Sequence, residues 1–495
     1  MGKKIIVAGG GHGGIAAGML LSKRGFDVTV YEKNAKDKMG YDWTDIFDKK
    51  GWFAVDIPLP EKDKYNLKQD MTFYGPAMET ALTQHTEEDK KEIQMERSEI
   101  YAHLIAHAEK AGVKFEYEHN IDSPIFYGNR VVGIKTDKGE YYADLVIDAC
   151  GLNSPIRRAM PESTTGIQNN SIEYEQFYIY RAFFNKACEV EEHDKFKVIL
   201  LPNNELGISW IATEEEHTDV LIGRFRKFDR EYAQNQIEML RAGNPSIGTE
   251  ILRGDDFANI PVRQPLGVLV ADGYAAIGDS GFMTVPVIGS GIANSLKAAK
   301  ILADAVSNDT SYSYSAETLW TYQKNFYKQI GAALAPLACV KLLLTRLEGP
   351  ELDYIFAKGI LNADDMTIDA DSTSGTINTT KIETSSLTAE TTSGNIKSSE
   401  LTCDNFSINS TSGDATLNVK NQLTKDSSIK TISGQIKLTV PEDSNFKVYV
   451  KSTSGKFRDN IKDSSCHPQD SHTFTYGTGG IEISMTSTSG SITLN

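Results

Sequence analysis

Basic side chains are scarce in this sequence: 51 Lys and Arg stand against 67 Asp and Glu over 495 residues, a formal net charge of -16. A surface of that sign repels polyphosphate, which argues against a nucleic-acid partner and against general adsorption to anionic membrane. Cysteine is also sparse. Cys150, Cys188, Cys339, Cys403 and Cys466 are odd in number, scattered, and nowhere at CxxC spacing, which excludes a disulfide framework and a zinc site and leaves no metal expected. Long apolar runs are missing too. The longest, Ile330 to Val340, contains Pro336 and stops at Lys341, short of the roughly 20 residues that cross a bilayer. No transmembrane segment is expected, while peripheral membrane contact is left open. Lys3 and Lys4 precede an apolar stretch, but that stretch runs at once into glycines, as a buried first strand would rather than a secretory leader. A cytoplasmic location is the expectation.

What is present is an alternation of strand and helix patterns from Lys3 to about Leu347: a strand at Lys4 to Ala8, a helix from Gly13 to Arg24, a strand at Asp27 to Tyr31 and a long helix from Arg97 to Ala111. Such interleaving marks an α/β fold. Between about 165 and 265 the pattern turns to strands, with Gln176 to Phe184, Lys195 to Leu201, Gly207 to Ala212 and Asp219 to Phe225 rich in aromatic and β-branched residues. This predicts a mainly antiparallel sheet inserted into the first domain. The expected organisation is a dinucleotide-binding domain over 1–165 with a substrate-side segment near 50–95, the inserted sheet over 166–265, the second part of the first domain over 266–362, and an all-β repeat domain over 363–495.

In that last segment helical patterns vanish and a Ser-Gly step recurs at 374–375, 393–394, 412–413, 433–434, 454–455 and 489–490. The glycine intervals are 19, 19, 21, 21 and 35 (394−375, 413−394, 434−413, 455−434, 490−455). A fixed period means one short unit per repeat, stacked on its neighbours, with glycine where the chain turns tightly. A β-solenoid or a repeated-hairpin sandwich fits, and self-association or a protein partner is its expected use.

Gly9, Gly11 and Gly14 form GxGxxG, with His12 and Gly13 between them, directly after the first strand and at the opening of a helix. Glu32 ends the next strand. The glycines give a tight turn, close backbone approach to a pyrophosphate and close helix packing. The helix N-terminus stabilises phosphate charge, and Glu32 is placed for ribose hydroxyls. Together these predict a dinucleotide site. His12 is expected to be an exposed loop residue with no role as acid or base.

Residues 274–294 read YAAIGDSGFMTVPVIGSGIAN. This stretch resembles the GD motif of the hydroxylase-type FAD family. The resemblance implies FAD, with Asp279 on the ribitol chain and the Gly289-Ser290-Gly291 turn and following helix against the flavin. Arg97 is similar in placement to a cofactor-contacting arginine of that family. The stretch ADLVIDACGLNSPIR, residues 143–157 and including Gly151, resembles its central motif with Cys150 in place of an aspartate, as in the geranylgeranyl reductase branch. Gly207-Ile208-Ser209-Trp210 and Gly223 keep only the tryptophan and a glycine of that branch's substrate motif. No acid or base is assigned. Substrate-side candidates are Trp210, Tyr180, with its neighbour Arg181, and Tyr74. Cys150 is expected to be a small buried residue near the cofactor.

The resemblance implies reduction of an apolar unsaturated substrate, prenyl or lipid, by a flavin enzyme; with only one dinucleotide fingerprint present, either NAD(P)H binds transiently as the reductant or electrons arrive by another carrier. Two alternatives stay open: an NAD(P)H-dependent FAD monooxygenase, and a scaffold protein with a vestigial flavin domain, since the repeat segment resembles adhesin-like β-solenoid modules.

Overall fold

The computed structural model describes residues 3–84, 86, 88, 90–169, 175–357, 377–379, 382–391, 395–462, 464–466 and 472–495. The chain divides into two compact units, 1–364 and 365–495, each with its own apolar core. The expected boundary at 362/363 and the Ser-Gly steps at 374–375 and 393–394 lie outside the described residues.

In chain order the first unit opens with β1 (Lys4–Ala8), α1 (His12–Ser22), β2 (Asp27–Tyr31), β3 (Thr44–Phe47), β4 (Met71–Tyr74), β5 (Ala81–Gln84), β6 (Ile93–Glu96) and α2 (Arg97–Lys110). It continues with β7 (Lys114–Glu116), β8 (Leu145–Asp148), β9 (Gln176–Lys186), β10 (Phe196–Leu200), β11 (Gly207–Thr213), β12 (His217–Arg224), α3 (Arg230–Gly243) and β13 (Ile247–Pro261). It ends with β14 (Val270–Ala271), β15 (Tyr274–Ala276), α4 (Ile292–Asn308), α5 (Ala316–Phe326), α6 (Ala332–Leu344) and α7 (Gly349–Ala357). Two short three-stranded sheets complete it, one pairing β3 with β6 and the other formed by strands between 121 and 142.

A six-stranded sheet in the order β14-β15-β8-β1-β2-β7 is parallel except at its β14–β15 edge. Ile5, Ile6, Val7 and Ala8 are all fully buried, as expected of a central strand covered on both faces. The inserted sheet has seven strands in the order β13-β9-β12-β11-β10-β4-β5, antiparallel except where β10 meets β4. The 50–95 segment therefore supplies this sheet's far edge.

Strand pleating sorts the inserted sheet into two faces. Tyr180, Ala182 and Phe184 lie with Ala233 and Ile237 of α3. Phe177, Ile179 and Phe183 lie with Trp43, Leu221, Trp210 and Ile260. Trp43 precedes β3, so this second face looks toward the dinucleotide fingerprint's side of the unit. Tyr180 lies on the opposite face. Its hydroxyl donates to Asp255 at 2.5 Å, and as a substrate-side candidate it is withdrawn: a one-residue step along β9 puts Arg181, not Tyr180, on the Trp43 face. Tyr74 is pinned by a 3.0 Å hydrogen bond to Asp194.

The second unit is a two-faced parallel solenoid. Each turn gives one strand to each face, as in Ser427–Thr431 followed by Ile436–Thr439, and side chains such as Ile408, Ile429, Leu417 and Leu438 fill the space between. The order of turns departs from the order in sequence. Strand Ile481–Ser487 lies between Ser427–Thr431 and Phe446–Ser452, and Ile492–Leu494 lies between Ile436–Thr439 and Phe457–Asp459. The turn at 481–494 is thus inserted into the stack, and the 35-residue interval before Gly490 holds two further strands, Ser464–Cys466 and His472–Tyr476, that pair antiparallel with Phe457–Asp459 and Phe446–Ser452.

The corners explain the rest of the repeat. A Cβ on Gly434 would sit 1.8 Å from the Gly413 carbonyl oxygen, one on Gly490 would sit 1.8 Å from that of Gly434, and one on Gly455 would sit 2.0 Å from that of Gly490. Three residues before each glycine stands a buried Ser or Thr. Ser410, Ser452 and Ser487 accept from the N–H of Gly413, Gly455 and Gly490 at 2.8–2.9 Å, and Thr431 donates to the Gly434 carbonyl at 2.8 Å. The repeat is therefore [Ser/Thr]-x-Ser-Gly. The first position is a turn-forming hydroxyl and the last a backbone contact that excludes any side chain.

Replacing Gly434 with Ala should destabilise the solenoid by about 2 kcal/mol or more, because the obstructing atoms are backbone of Gly413 and Asp414, which cannot swing aside as a side chain would. Calorimetry of the full chain should show the loss. An unchanged profile would contradict this packing.

Candidate cofactor site

Gly9, at φ +88°, ends β1 in a left-handed turn closed by its N–H to the Tyr31 carbonyl at 2.8 Å. A Cβ there would lie 2.6 Å from the Ala149 carbonyl oxygen and one on Gly14 would lie 2.5 Å from Ala149 Cβ, so the loop presses directly on the end of β8. Gly11 is the N-cap of α1 and offers no side chain to the free N–H groups of the first turn. Gly13 backs onto the carbonyl oxygen of Ser295 on α4, 2.9 Å from where a Cβ would be. Glu32 follows β2, nearly buried, and accepts from Gly10 N–H at 2.7 Å and Asn34 N–H at 2.9 Å.

His12 corrects the expectation of an exposed loop residue. It is the first residue of α1, its ring stacks on Tyr101 of α2 at 4.4 Å, and its Nε2 is shielded from solvent without a hydrogen-bond partner. Burial first, then the Arg97 charge, bring its pKa from 6.5 down to about 4, so the ring is neutral at pH 7.

Arg97, the first residue of α2, is no solvated helix charge. It forms a two-pronged pair with Asp45 of β3, Nε to Oδ2 at 2.5 Å and Nη2 to Oδ1 at 2.6 Å, beneath the rings of Tyr41 and Trp43. Burial works to raise the Asp45 carboxyl, but the charge and hydrogen bonds of Arg97 overcome it and hold the group below the usual range. Arg181 makes a second pair, with Asp219 at 2.6 and 2.9 Å, and also donates to the Thr44 carbonyl and hydroxyl at 2.6 and 2.8 Å. Thr44, the residue before Asp45, is thereby tied to β9, which couples the inserted sheet to the cofactor side. Trp210 packs 5.1 Å from the Arg181 guanidinium and edge-on to Phe196.

Asp279 lies in a single turn of 3-10 helix, Gly278–Gly281. Its Oδ1 is 3.5 Å from where a Cβ on Gly291 would stand, at the N-cap of α4. Burial pushes its pKa up, while Arg97 and Arg157 pull it down. Its carboxyl makes no hydrogen bond among the described residues. Gly289, at φ +70°, Ser290 and Gly291 form the turn ahead of α4, and Ser290 Oγ reaches the Ile46 carbonyl at 3.5 Å. An unpartnered, half-buried carboxyl, an unpartnered imidazole nitrogen and two helix N-termini without side-chain caps thus converge on one region. That donor and acceptor set fits FAD: glycine-loop amides for the pyrophosphate, Glu32 for the adenosine ribose, Asp279 for the ribitol and the 289–291 turn for the flavin.

Sequence reasoning named Gly151 and Cys150 but passed over the residue that arranges them. Asp148, wholly buried at the end of β8, accepts four hydrogen bonds: from Cys150 N–H and Ser280 Oγ at 3.0 Å each, Ser154 Oγ at 2.6 Å and Tyr274 OH at 2.9 Å. Gly151 in turn donates its N–H to Ser280 Oγ at 2.9 Å. Arg157, buried, holds the Ser280 and Leu152 carbonyls and lies on the Phe282 ring. The visible signal was an aspartate closing an apolar strand, with serine and arginine following at short intervals. Cys150 donates its thiol to the Ala8 carbonyl at 3.2 Å, and burial, then Asp148, push its pKa well up. That is the opposite of a reactive thiol.

Comparison with known proteins agrees with this architecture. Residues 7–59 match the family described as an NAD(P)-binding Rossmann-like domain, and residues 347–495 match Toastrack DUF4097. The digeranylgeranylglycerophospholipid reductase of Sulfolobus acidocaldarius is 22% identical over 385 residues, covering 73% of this chain and 82% of that protein. The one from Methanothrix thermoacetophila is 23% identical over 374 residues, covering 71% and 90%. Among solved structures, a geranylgeranyl bacteriochlorophyll reductase-like protein from Thermoplasma acidophilum superposes with a TM-score of 0.65 at 19% identity, over 74% of this chain and 94% of that one. A flavin-dependent brominase gives 0.55 at 16% identity, over 75% and 94%. The first unit thus resembles digeranylgeranylglycerophospholipid reductases in sequence and shares its fold with flavin-dependent enzymes, and residues 347–495 match a Toastrack domain.

Asp148→Asn should cost about 2–4 kcal/mol, since an amide donor would face hydroxyls that need an acceptor, and should lower flavin retention. Thermal unfolding and visible absorbance of the purified variant measure both. His12 adds a pH dependence. Its folded pKa lies below the unfolded 6.5, so the unfolded chain takes the proton first, and stability falls as pH drops from about 6.5 toward about 4. His12→Gln should flatten the melting-temperature slope in that window alone; an equal slope in the variant refutes the assignment.

Proposed function

We propose that the chain is an FAD-dependent reductase that adds hydride and a proton across a carbon–carbon double bond of a prenyl-type lipid in the cytoplasm, drawing on NAD(P)H as a dissociable reductant. The observation that carries this reading is the hydrocarbon character of the sheet face next to the 289–291 turn. Ile260 Cδ1 approaches so closely that a Cβ on Gly289 would lie 2.3 Å from it. Behind it stand Phe177, Ile179, Leu221, Trp43 and Trp210. Apart from Asp279, which is kept for the cofactor, the charged groups nearby are engaged with one another, Arg97 with Asp45, Arg181 with Asp219 and Arg253 with Glu96. A polar aromatic acid would find paired charges there, whereas an alkene chain finds apolar walls.

Bound there, FAD would supply hydride transfer between the dissociable reductant and the substrate. This chain's residues do the rest by position. Asp279 and the glycine-loop amides hold the cofactor, the N-terminus of α4 favours negative charge that develops near the 289–291 turn, and the apolar face excludes water from the reacting carbons. The similarity to the digeranylgeranylglycerophospholipid reductases supports the substrate class. The likeness to a flavin-dependent brominase supports a second reading, a monooxygenase that spends reduced flavin on oxygen.

Anaerobic stopped-flow reduction with NADH and NADPH, followed by a prenyl lipid, separates the two. Flavin reoxidation by the lipid without oxygen is expected. Rapid oxygen uptake coupled to substrate in air, with no anaerobic reoxidation, would sink the reductase reading. Asp279→Ala should reduce flavin occupancy at least about tenfold, corresponding to the loss of a charge-assisted hydrogen bond worth about 1.5–3 kcal/mol.

A further inference from the structure

Helix continues from Ala316 to Leu344 with one π turn at Tyr327–Gly331, a stretch of 29 residues that is apolar and long enough to cross a bilayer. The packing shows a different use. Leu319, Tyr322, Phe326, Ile330 and Leu334 are buried in the core of the first unit, so one side of the helix is committed to protein. The other side forms an exposed stripe at helical spacing, from Trp320, Lys324 and Lys328 through Ala332 and Pro336 to Val340, Leu343 and Arg346.

Two features make this stripe unusual. The first is polarity turned inside out. Lys341, the charge within the most apolar part, is buried with its ammonium 5.7 Å from the Phe225 ring, while Val340, Leu342 and Leu343 are 41%, 47% and 62% exposed. The second is charge. The exposed part of the stripe carries Lys324, Lys328 and Arg346 with no Asp or Glu between them, three positive charges bracketed by Glu317 and Glu348, within a chain of net -16. Trp320, 51% exposed, stands at the basic end. Exposed leucines flanked by lysines, arginine and an amphipathic ring are what a headgroup–acyl boundary accepts.

We propose that the outward stripe of α5 and α6 docks on an anionic lipid bilayer, with the helix lying in the plane of the headgroups and Val340, Leu342 and Leu343 immersed among acyl chains. The surface also connects to the apolar sheet face. Phe225, beneath Lys341, packs edge-on to Phe177 at 5.1 Å, and Phe177 shares its cluster with Ile260, which abuts Gly289. Beyond the Lys341 ammonium, a bilayer substrate would therefore meet hydrocarbon from Phe225 to the 289–291 turn. That last link rests on the function proposed above; the docking surface does not.

Cosedimentation of the full-length flavin-loaded protein tests the surface without any turnover, using vesicles of phosphatidylcholine alone or with phosphatidylglycerol. Binding is expected to the anionic vesicles, weakening with salt. Leu342→Glu combined with Leu343→Glu should lower the partition at least about tenfold, since two exposed apolar side chains no longer enter the acyl region. Lys324→Glu combined with Lys328→Glu should abolish the preference for phosphatidylglycerol. Thermal melts unchanged from wild type keep these results free of misfolding, and flavin absorbance reports the cofactor site separately. A wild-type protein left in the supernatant with both vesicles overturns the proposal. So does unaltered binding by the leucine variant, or sedimentation velocity showing a dimer that the leucine variant makes monomeric, which would assign the stripe to a second copy of this chain.

Discussion

One buried carboxylate organises the first unit. Asp148 has four donors around it and each comes from a different place: the strand-to-loop turn at Cys150, the cap of the helix after it at Ser154, the neighbouring strand at Tyr274 and the turn carrying Asp279 at Ser280. A carboxylate out of water is costly unless its lone pairs are met, so these four segments are held to a single arrangement. The consequence reaches the cofactor region from both ends. Ala149, the next residue, is the floor on which Gly9 and Gly14 close, and Ser280 adjoins the residue assigned to the ribitol chain.

A second constraint joins the halves of the unit. Arg97 with Asp45 and Arg181 with Asp219 flank the Trp43–Asp45 segment, one from α2 and one from β9. Buried ion pairs of this kind add little net stability, but losing one partner strands the other, so they fix geometry more than they strengthen it. They hold the inserted sheet's apolar face at a set position relative to the glycine loop, and they also neutralise the cations that would otherwise attract anionic ligands there.

The parts legible in the sequence were those set by local rules. Strand, glycine turn, helix and acidic strand end appear in order because close backbone contact and ribose recognition each demand a particular residue type. The antiparallel insertion was visible through its aromatic and β-branched runs. Residues whose role depends on distant partners were not legible. His12 read as a loop residue because nothing in its neighbourhood announces Tyr101, some 90 positions on. Tyr180 and Arg181 were adjacent candidates, and only the strand's facing decides that Arg181 looks toward Trp43. Asp148 stood in a quoted motif, yet its partners Tyr274 and Ser280 are more than a hundred residues away. In the second unit the Ser-Gly step was plain. The hydroxyl three residues earlier was overlooked because serine and threonine are so common there that one more carried no contrast.

The inserted last turn of the solenoid bears on how the chain is made. Strands 446–452 and 457–459 are synthesised before the segment that separates them from 427–439, so a growing chain holds each with its antiparallel neighbour at 472–476 or 464–466 but without the parallel neighbour on its other side until residue 494 has left the ribosome. Parallel strand edges left open for that interval can pair in sequence order, or with another chain. Removal of residues 481–494 would therefore take a middle turn out of the stack rather than an end one.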